Sequence, residues 1–153
     1  MVAIISIIYQ SKWMSASRDV VNNQIIEVVA LALRCTVDGR YLLARRGPEG
    51  SGRGCWEFPG GKIEIGETQQ QALLREIHEE LSFDLKKLPL DFIGENTHQY
   101  EKLKVKIYLW RAEVDIKPEF KLVDHDHVGW FLVDEIKEVN LSEADKHFIS
   151  LIN

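Results

Sequence analysis

At 153 residues and 17.6 kDa, the chain has the size of one ordinary domain and is long enough to bury a core without staples. Its 45% hydrophobic and 28% charged residues exclude wholesale disorder and fibrous repeats. A net charge of −5 excludes a general electrostatic footprint for nucleic acid and leaves room only for a local basic groove.

The chain opens MVAIISIIYQSKW, an apolar run without a basic n-region or a small-residue cleavage site and too short to span a bilayer. Neither export nor a membrane anchor is expected. Cys35 and Cys55, the two cysteines, lack zinc-site or disulfide-framework spacing, which mildly favours the cytoplasm. Residues 1–25 read as an N-terminal extension ahead of a domain over residues 26–153. Within it, Ile4 to Tyr9 reads as an added edge strand or as a contact with a second copy, since an apolar edge strand seeks a partner; a homodimer is the expectation on the second reading.

IIEVVALALRC, residues 25–35, is β-branched and apolar, and the Asp38-Gly39 turn leads from it into RYLLARR, so the pair reads as a hairpin. After the glycine-rich GPEGSGRG comes WEFPGG, strand-like and then turn-like. A helix is expected from about Thr68 to Ser82, with Thr68 as N-cap and Gln71 at the capping-box spacing. At helical spacing Leu73, Ile77 and Leu81 form one stripe with Leu74 beside it, while Glu76, Glu79 and Glu80 crowd the neighbouring arc. Beyond Pro89, DFIGENTH and KVKIYLWRAEV read as two strands. A loop, KPEFKLVDHDHVG, precedes a strand WFLV, and LSEADKHFISLI reads as a terminal helix. Strand pairs around a central helix, without repeated βα units, point to an α+β sandwich with a mixed sheet.

REIHEEL carries the chemistry. Like charges three and four residues apart destabilise an isolated helix, so either solvent or a cation answers Glu76, Glu79 and Glu80. Oxygen-only ligands suit hard divalent ions such as Mg²⁺, which takes a few carboxylates and completes its shell with phosphate and water. A solvated helix face is the plainer reading of such a cluster; the adjoining Pro59-Gly60-Gly61 loop weighs against it.

The segment resembles the signature of the Nudix hydrolases, a glycine, five residues, Glu, seven residues, then Arg-Glu-aliphatic-any-Glu-Glu-any-Gly-aliphatic. Gly61, Glu67, Arg75, Glu76, Ile77, Glu79, Glu80 and Phe83 occupy defined places, and Ser82 stands where Gly is expected. LLARR, WEFPGG and Trp130 are similar to the MutT-like branch, so the likeness spans roughly residues 26–150. The resemblance implies an α/β/α sandwich with the Nudix helix against a mixed sheet. It also implies a Mg²⁺-dependent pyrophosphohydrolase, with Mn²⁺ able to substitute. Glu76, Glu79, Glu80 and the carbonyl of Gly60 would hold metal, with Gly61, Glu67 and Arg75 keeping loop and helix in register.

The resemblance implies as general base Asp124, in the DHDH segment, or a box glutamate such as Glu76, with Asp126 a further alternative. His125 and His127 read as polar loop residues rather than ligands, since Mg²⁺ prefers oxygen. Arg45, Arg46, Lys62 and Arg53 are the cations available to phosphate; strand alternation sends one of the two adjacent arginines to the cleft and the other to solvent. In SEAD, Asp145 matches the position that reads a base edge in nucleotide-cleaving relatives, or else caps a helix or lies exposed. Phe58 and Phe131 are stacking candidates or simply core.

Three functions stay open on these residues. One is hydrolysis of a nucleoside triphosphate (8-oxo-dGTP, dGTP or a related purine) to monophosphate and pyrophosphate. Another is removal of pyrophosphate from a 5′-triphosphate RNA end, for which Lys102, Lys104 and Lys106 offer a path. The last is an inactive Nudix-fold ligand sensor, with Ser82 its sole support.

Overall fold

A computed structural model describes residues 25–49, 52–101 and 103–153. The strand or dimer contact expected at Ile4 to Tyr9 lies outside them, as does Lys102. Among the described residues no helix is long and apolar enough to cross a membrane.

The longest strands are β1 (Ile25–Cys35) and β6 (Lys104–Val114), which run parallel in unbroken register from Ile25 opposite Lys104 to Cys35 opposite Val114. β5 (Asp91–Gln99) adds antiparallel to β6, with an irregularity between Phe92 and Gly94. On the other side of β1 the expected hairpin forms only at its turn. β2 (Tyr41–Arg46) meets β1 at Arg34 opposite Tyr41 and then diverges to pair with β3 (Trp56–Glu57) and β7 (His125–Phe131). The rungs it leaves open on β1 are taken by β4 (Gly60–Lys62), against Val28 to Ala30. Gly60 makes that approach possible, because a Cβ there would lie 2.0 Å from the Val29 carbonyl oxygen.

The mixed sheet has a core on each face, which fits a three-layer sandwich. Helix α1 (Gln69–Leu81) lays Leu73, Ile77 and Leu81 on Val29, Leu31, Leu33 and Leu42, all fully buried. Each such Leu or Ile contributes about 1.5–3 kcal/mol relative to exposure. On the opposite face Leu141, Ala144, Phe148 and Ile152 cover Ala30, Leu43, Ile107 and Leu109. The ends of α1 follow the sequence. Thr68 caps it and forms the box with Gln71, with N–H donors and side-chain oxygens exchanged at 2.9 and 3.2 Å. Ser82 ends it in the left-handed region, at φ 52° and ψ 35°.

Three expectations change. DHDH is loop only at Asp124: β7 begins at His125 and ends at Phe131. The strand expected over WFLV stops at Phe131, and Val133, its last expected residue, instead opens a one-turn helix α2 (Val133–Ile136), whose Glu135 carboxylate accepts the Leu132 N–H at 2.8 Å and pairs with Arg40. The C-terminal segment is not an α-helix but a short 3₁₀ turn over Lys146–Ser150. Its start is tied to β3, since Trp56 N–H donates to the Asn140 carbonyl at 2.9 Å and Ser142 N–H to the Trp56 carbonyl at 2.8 Å. Those bonds hold the chain extended where a longer helix would have begun.

Candidate active site

Arg75 answers much of the crowding on α1. Its Nε and Nη2 grip the two oxygens of Glu67 at 2.7 and 2.8 Å, Nη2 also reaches the Lys62 carbonyl at 3.0 Å, and Nη1 donates to Glu76 at 2.7 Å and to Glu79 at 3.3 Å. Glu67 in turn accepts the Glu64 N–H at 2.9 Å. One guanidinium therefore binds the loop to the helix, and the Arg75 side chain holds the Glu67 carboxyl down at about 2.

The three glutamates of the arc have different surroundings. Glu79 is well exposed, its side chain 58% accessible. Glu76 packs its carboxylate over Gly61, where a Cβ would fall 2.4 Å from the carboxyl carbon, so any side chain there would push the carboxylate aside; burial pushes Glu76 up, against the pull of Arg75. Glu80 is 4% exposed. Burial, followed by the charges of Glu57 and Glu76, drives Glu80 well above the ordinary carboxyl range, and its Oε2 is sealed from solvent with no hydrogen-bond partner. An orphaned carboxylate oxygen beside further acids fits a cation, since a bound positive charge would satisfy the oxygen and offset the repulsion. Among the described residues no three Asp, Glu, His or Cys side chains close into a cage. The acids form an acidic face that runs from the exposed Glu79 to the buried Glu76 and Glu80 and offers the oxygen ligands a hard divalent ion prefers.

The loop carrying Asp124 is fastened to the end of this helix. Lys121 N–H donates to the Leu81 carbonyl at 3.1 Å and Val123 N–H to the Glu80 carbonyl at 3.2 Å. Asp124 is exposed, its charge acts on Glu80, and it makes no hydrogen bond among the described residues. Asp126 is drawn elsewhere, onto the Nε of Arg45 at 2.9 Å, and Arg45 lowers its carboxyl.

The two adjacent arginines separate as alternation requires. Arg45 points outward over the Trp56 ring, whereas Arg46 is 8% exposed and pairs with Glu57. A cleft brings Glu57, Phe58, Gly60, Gly61, Lys62 and Asp145 together. Asp145 is neither exposed nor a cap: it is 2% exposed, makes no side-chain capping bond, and accepts the Phe58 N–H at 3.3 Å. Burial, then the charge of Glu57, pushes its carboxyl well up. Phe58 lines the cleft from a core position, while Phe131 is spent on an edge-to-face contact with Trp56 at 4.9 Å. Arg53 stays on an exposed turn away from these residues, and Lys106 is engaged by Glu95 at 2.9 Å.

Glu57 escaped the sequence reading, and His125, read there as a polar loop residue, is instead buried at the start of β7. Their side chains meet in the interior, His125 Nε2 lying 2.9 Å from Glu57 Oε1. Alternation through Trp56, Glu57 and Phe58 carried the signal for Glu57, because an acid flanked by apolar residues on the opposite face must point somewhere polar.

The family model described as NUDIX domain matches residues 29–151, and the chain belongs to that family of hydrolases. It is 30% identical over 122 residues to the CTP pyrophosphohydrolase of Escherichia coli, covering 80% of this chain and 87% of that protein. It is 34% identical over 131 residues to the putative 8-oxo-dGTP diphosphatase 2 of Mycobacterium tuberculosis, covering 84% and 86%. An RNA pyrophosphohydrolase of Sodalis glossinidius is 37% identical over 84 residues, 55% of this chain and 43% of that protein. Among solved structures, the E. coli ORF135 protein superposes with a TM-score of 0.70 at 29% identity, over 84% of this chain and 88% of that one. The protein is a Nudix pyrophosphohydrolase, of a family that generally uses divalent metal ions.

Proposed function

We propose that the protein hydrolyses a free nucleoside triphosphate to the monophosphate and pyrophosphate, with Mg²⁺ as its ion and Mn²⁺ able to substitute. The observation that carries this reading is Asp145, an almost wholly buried carboxyl in the same cleft as the Gly60 to Lys62 loop. A cleft that joins a buried polar contact to the acidic face has use for one nucleotide.

Burial and Glu57 favour the neutral form of Asp145, which presents one donor and one acceptor. Such a group pairs with a base edge that sets a donor beside an acceptor. Cytosine offers N4–H and N3; an 8-oxopurine offers N7–H and O6. CTP and 8-oxo-dGTP, for which two relatives matched over most of their length are named, both present such an edge. An oxidised purine such as 8-oxo-dGTP, then dGTP, leads the substrate list, and cytidine triphosphates follow.

Glu76, Glu79, Glu80 and the Gly60 carbonyl would hold the ion, which supplies charge neutralisation on the polyphosphate and a more acidic attacking water. The Glu67–Arg75 clamp keeps the loop and helix in register for it. Arg46 and Lys62 bind phosphate oxygens. Asp124 takes the proton from water: its oxygens make no hydrogen bond among the described residues, whereas Glu76 is engaged by Arg75 at 2.7 Å.

The test is a kinetic panel of 8-oxo-dGTP, dGTP, CTP, dCTP and 5′-triphosphate RNA, with wild type and Asp145→Asn. Free nucleotides should lead RNA in kcat/KM, and Asp145→Asn should alter the ranking among bases more than kcat on the best one. RNA turning over faster than every free nucleotide would replace the reading with 5′-end processing, and no turnover of any substrate would leave only ligand sensing.

A further inference from the structure

We propose that Glu57 and His125 are positioning residues for Arg46, together aiming its guanidinium into the cleft; this rests on the reading of that cleft as a polyphosphate site. Arg46 ends β2 and is 8% exposed. Its Nε straddles the Glu57 carboxylate, 3.2 Å from Oε1 and 3.3 Å from Oε2. Among the described residues neither Nη nitrogen has a hydrogen bond. A guanidinium held by Nε alone offers its remaining N–H groups as a flat fork, the shape that grips a phosphate at two points.

Glu57 is itself held in place. It is 5% exposed on the two-residue strand β3, and His125 fastens Oε1 at 2.9 Å from the neighbouring β7. His125 reaches that position through a bulge. Pairing slips between Arg45 and Arg46, so that Arg45 faces His127, Arg46 faces His125, and Asp126 is the extra residue. Bulges next to sites re-aim side chains, and this one sorts both arginines: Asp126 takes Arg45 outside, while His125 and Glu57 take Arg46 inside.

Beyond Glu57, the charge of Arg46 also acts on the buried carboxyls of Glu80 and Asp145. Without Glu57, Arg46 is free to swing onto Glu80, which removes a phosphate contact and fills part of the acidic face. Glu57 and His125 need not touch substrate to affect it.

The experiment is a double-mutant cycle on the full chain with Mg²⁺, using Arg46→Ala, Glu57→Gln and the pair. It reads kcat/KM on the best nucleoside triphosphate and, by calorimetry, Kd for a non-hydrolysable α,β-imido nucleoside triphosphate. Each single change is expected to cost about 10²-fold, the scale of a misplaced binding group, and the pair no more than Arg46→Ala alone. His125→Gln, whose amide can still donate to Glu57, should retain most of the function that His125→Leu loses. Should Glu57→Gln fail to fold, Glu57→Asp, which keeps the charge and shortens the reach, enters the cycle in its place. Multiplying losses in the pair, or equal His125→Gln and His125→Leu, would overturn the proposal. Coupled binding in a wild type that turns over no nucleotide would sink the hydrolase reading and leave the positioning intact; turnover with uncoupled losses would do the reverse. Neither binding nor turnover would overturn both.

Discussion

Glu80→Gln sets stability and activity against each other. Glu80 is raised well above its ordinary value of 4.5 by burial and by Glu57 and Glu76, so between that value and the raised one the folded chain holds a proton the unfolded chain releases. Stability from this group is complete below 4.5 and drains away as pH climbs through the window. At neutral pH, metal-free protein therefore carries either an unfavourable buried charge or the cost of holding the proton. Glutamine is the same size and carries neither. Leaving a buried polar group unsatisfied costs about 1–3 kcal/mol, more if charged. For a chain of this length about 1 kcal/mol corresponds to about 2–4 °C, so metal-free Glu80→Gln should melt about 2–12 °C above wild type at pH 7.5. The gap should close toward pH 4.5. Mg²⁺ at a hundred times its Kd should add about 2.7 kcal/mol to wild type and far less to the variant, whose turnover should be abolished. Thermal melts with and without Mg²⁺ across pH, beside a pyrophosphate-release assay, read all of this. A variant less stable than wild type without metal, or one that turns over normally at saturating Mg²⁺, would refute the reasoning.

Further outcomes follow from single contacts. Ser82→Gly relieves a left-handed residue worth about 1–2 kcal/mol and gives back about 0.5–1 kcal/mol of glycine entropy. Urea melts should thus show a gain of up to about 1.5 kcal/mol at unchanged kcat; a loss of stability would contradict the cap geometry. Glu67, held at about 2 by Arg75, contributes stability present above 4.5 and lost as pH falls through about 2. Glu67→Gln should therefore flatten the acid limb of the stability curve between those values, and an unchanged limb would remove the clamp from the account. Gly61→Ala places a methyl 2.4 Å from the Glu76 carboxyl carbon and should lower kcat by about 10²-fold by displacing it, with far-UV circular dichroism unchanged; full activity would show that Glu76 moves freely.

What was legible in the sequence was what neighbours along the chain decide. The capping box of Thr68 and Gln71, the buried stripe of Leu73, Ile77 and Leu81, and strands β5 and β6 all follow from local pattern. The Nudix box already set Glu67 and Arg75 to keep loop and helix in register, which their ion pair does, because its spacing is a record of one loop-to-helix contact. The illegible parts depend on distant partners. β2 leaves β1 because β7 and β3, far apart in sequence, bond to it. The bulge that turns His125 inward exists only in that pairing, and the last segment stays short of a helix because Trp56 holds its start. Glu57 and His125 each look like isolated polar residues until the sheet sets them 2.9 Å apart.

The most direct test of the central claim is to incubate the protein with Mg²⁺ and 8-oxo-dGTP or CTP and identify the products by ³¹P nuclear magnetic resonance. The account predicts nucleoside monophosphate and pyrophosphate in equal amounts, formed with Mg²⁺ or Mn²⁺ and abolished by chelation. Release of orthophosphate and a nucleoside diphosphate, or turnover that survives removal of every divalent ion, would contradict it.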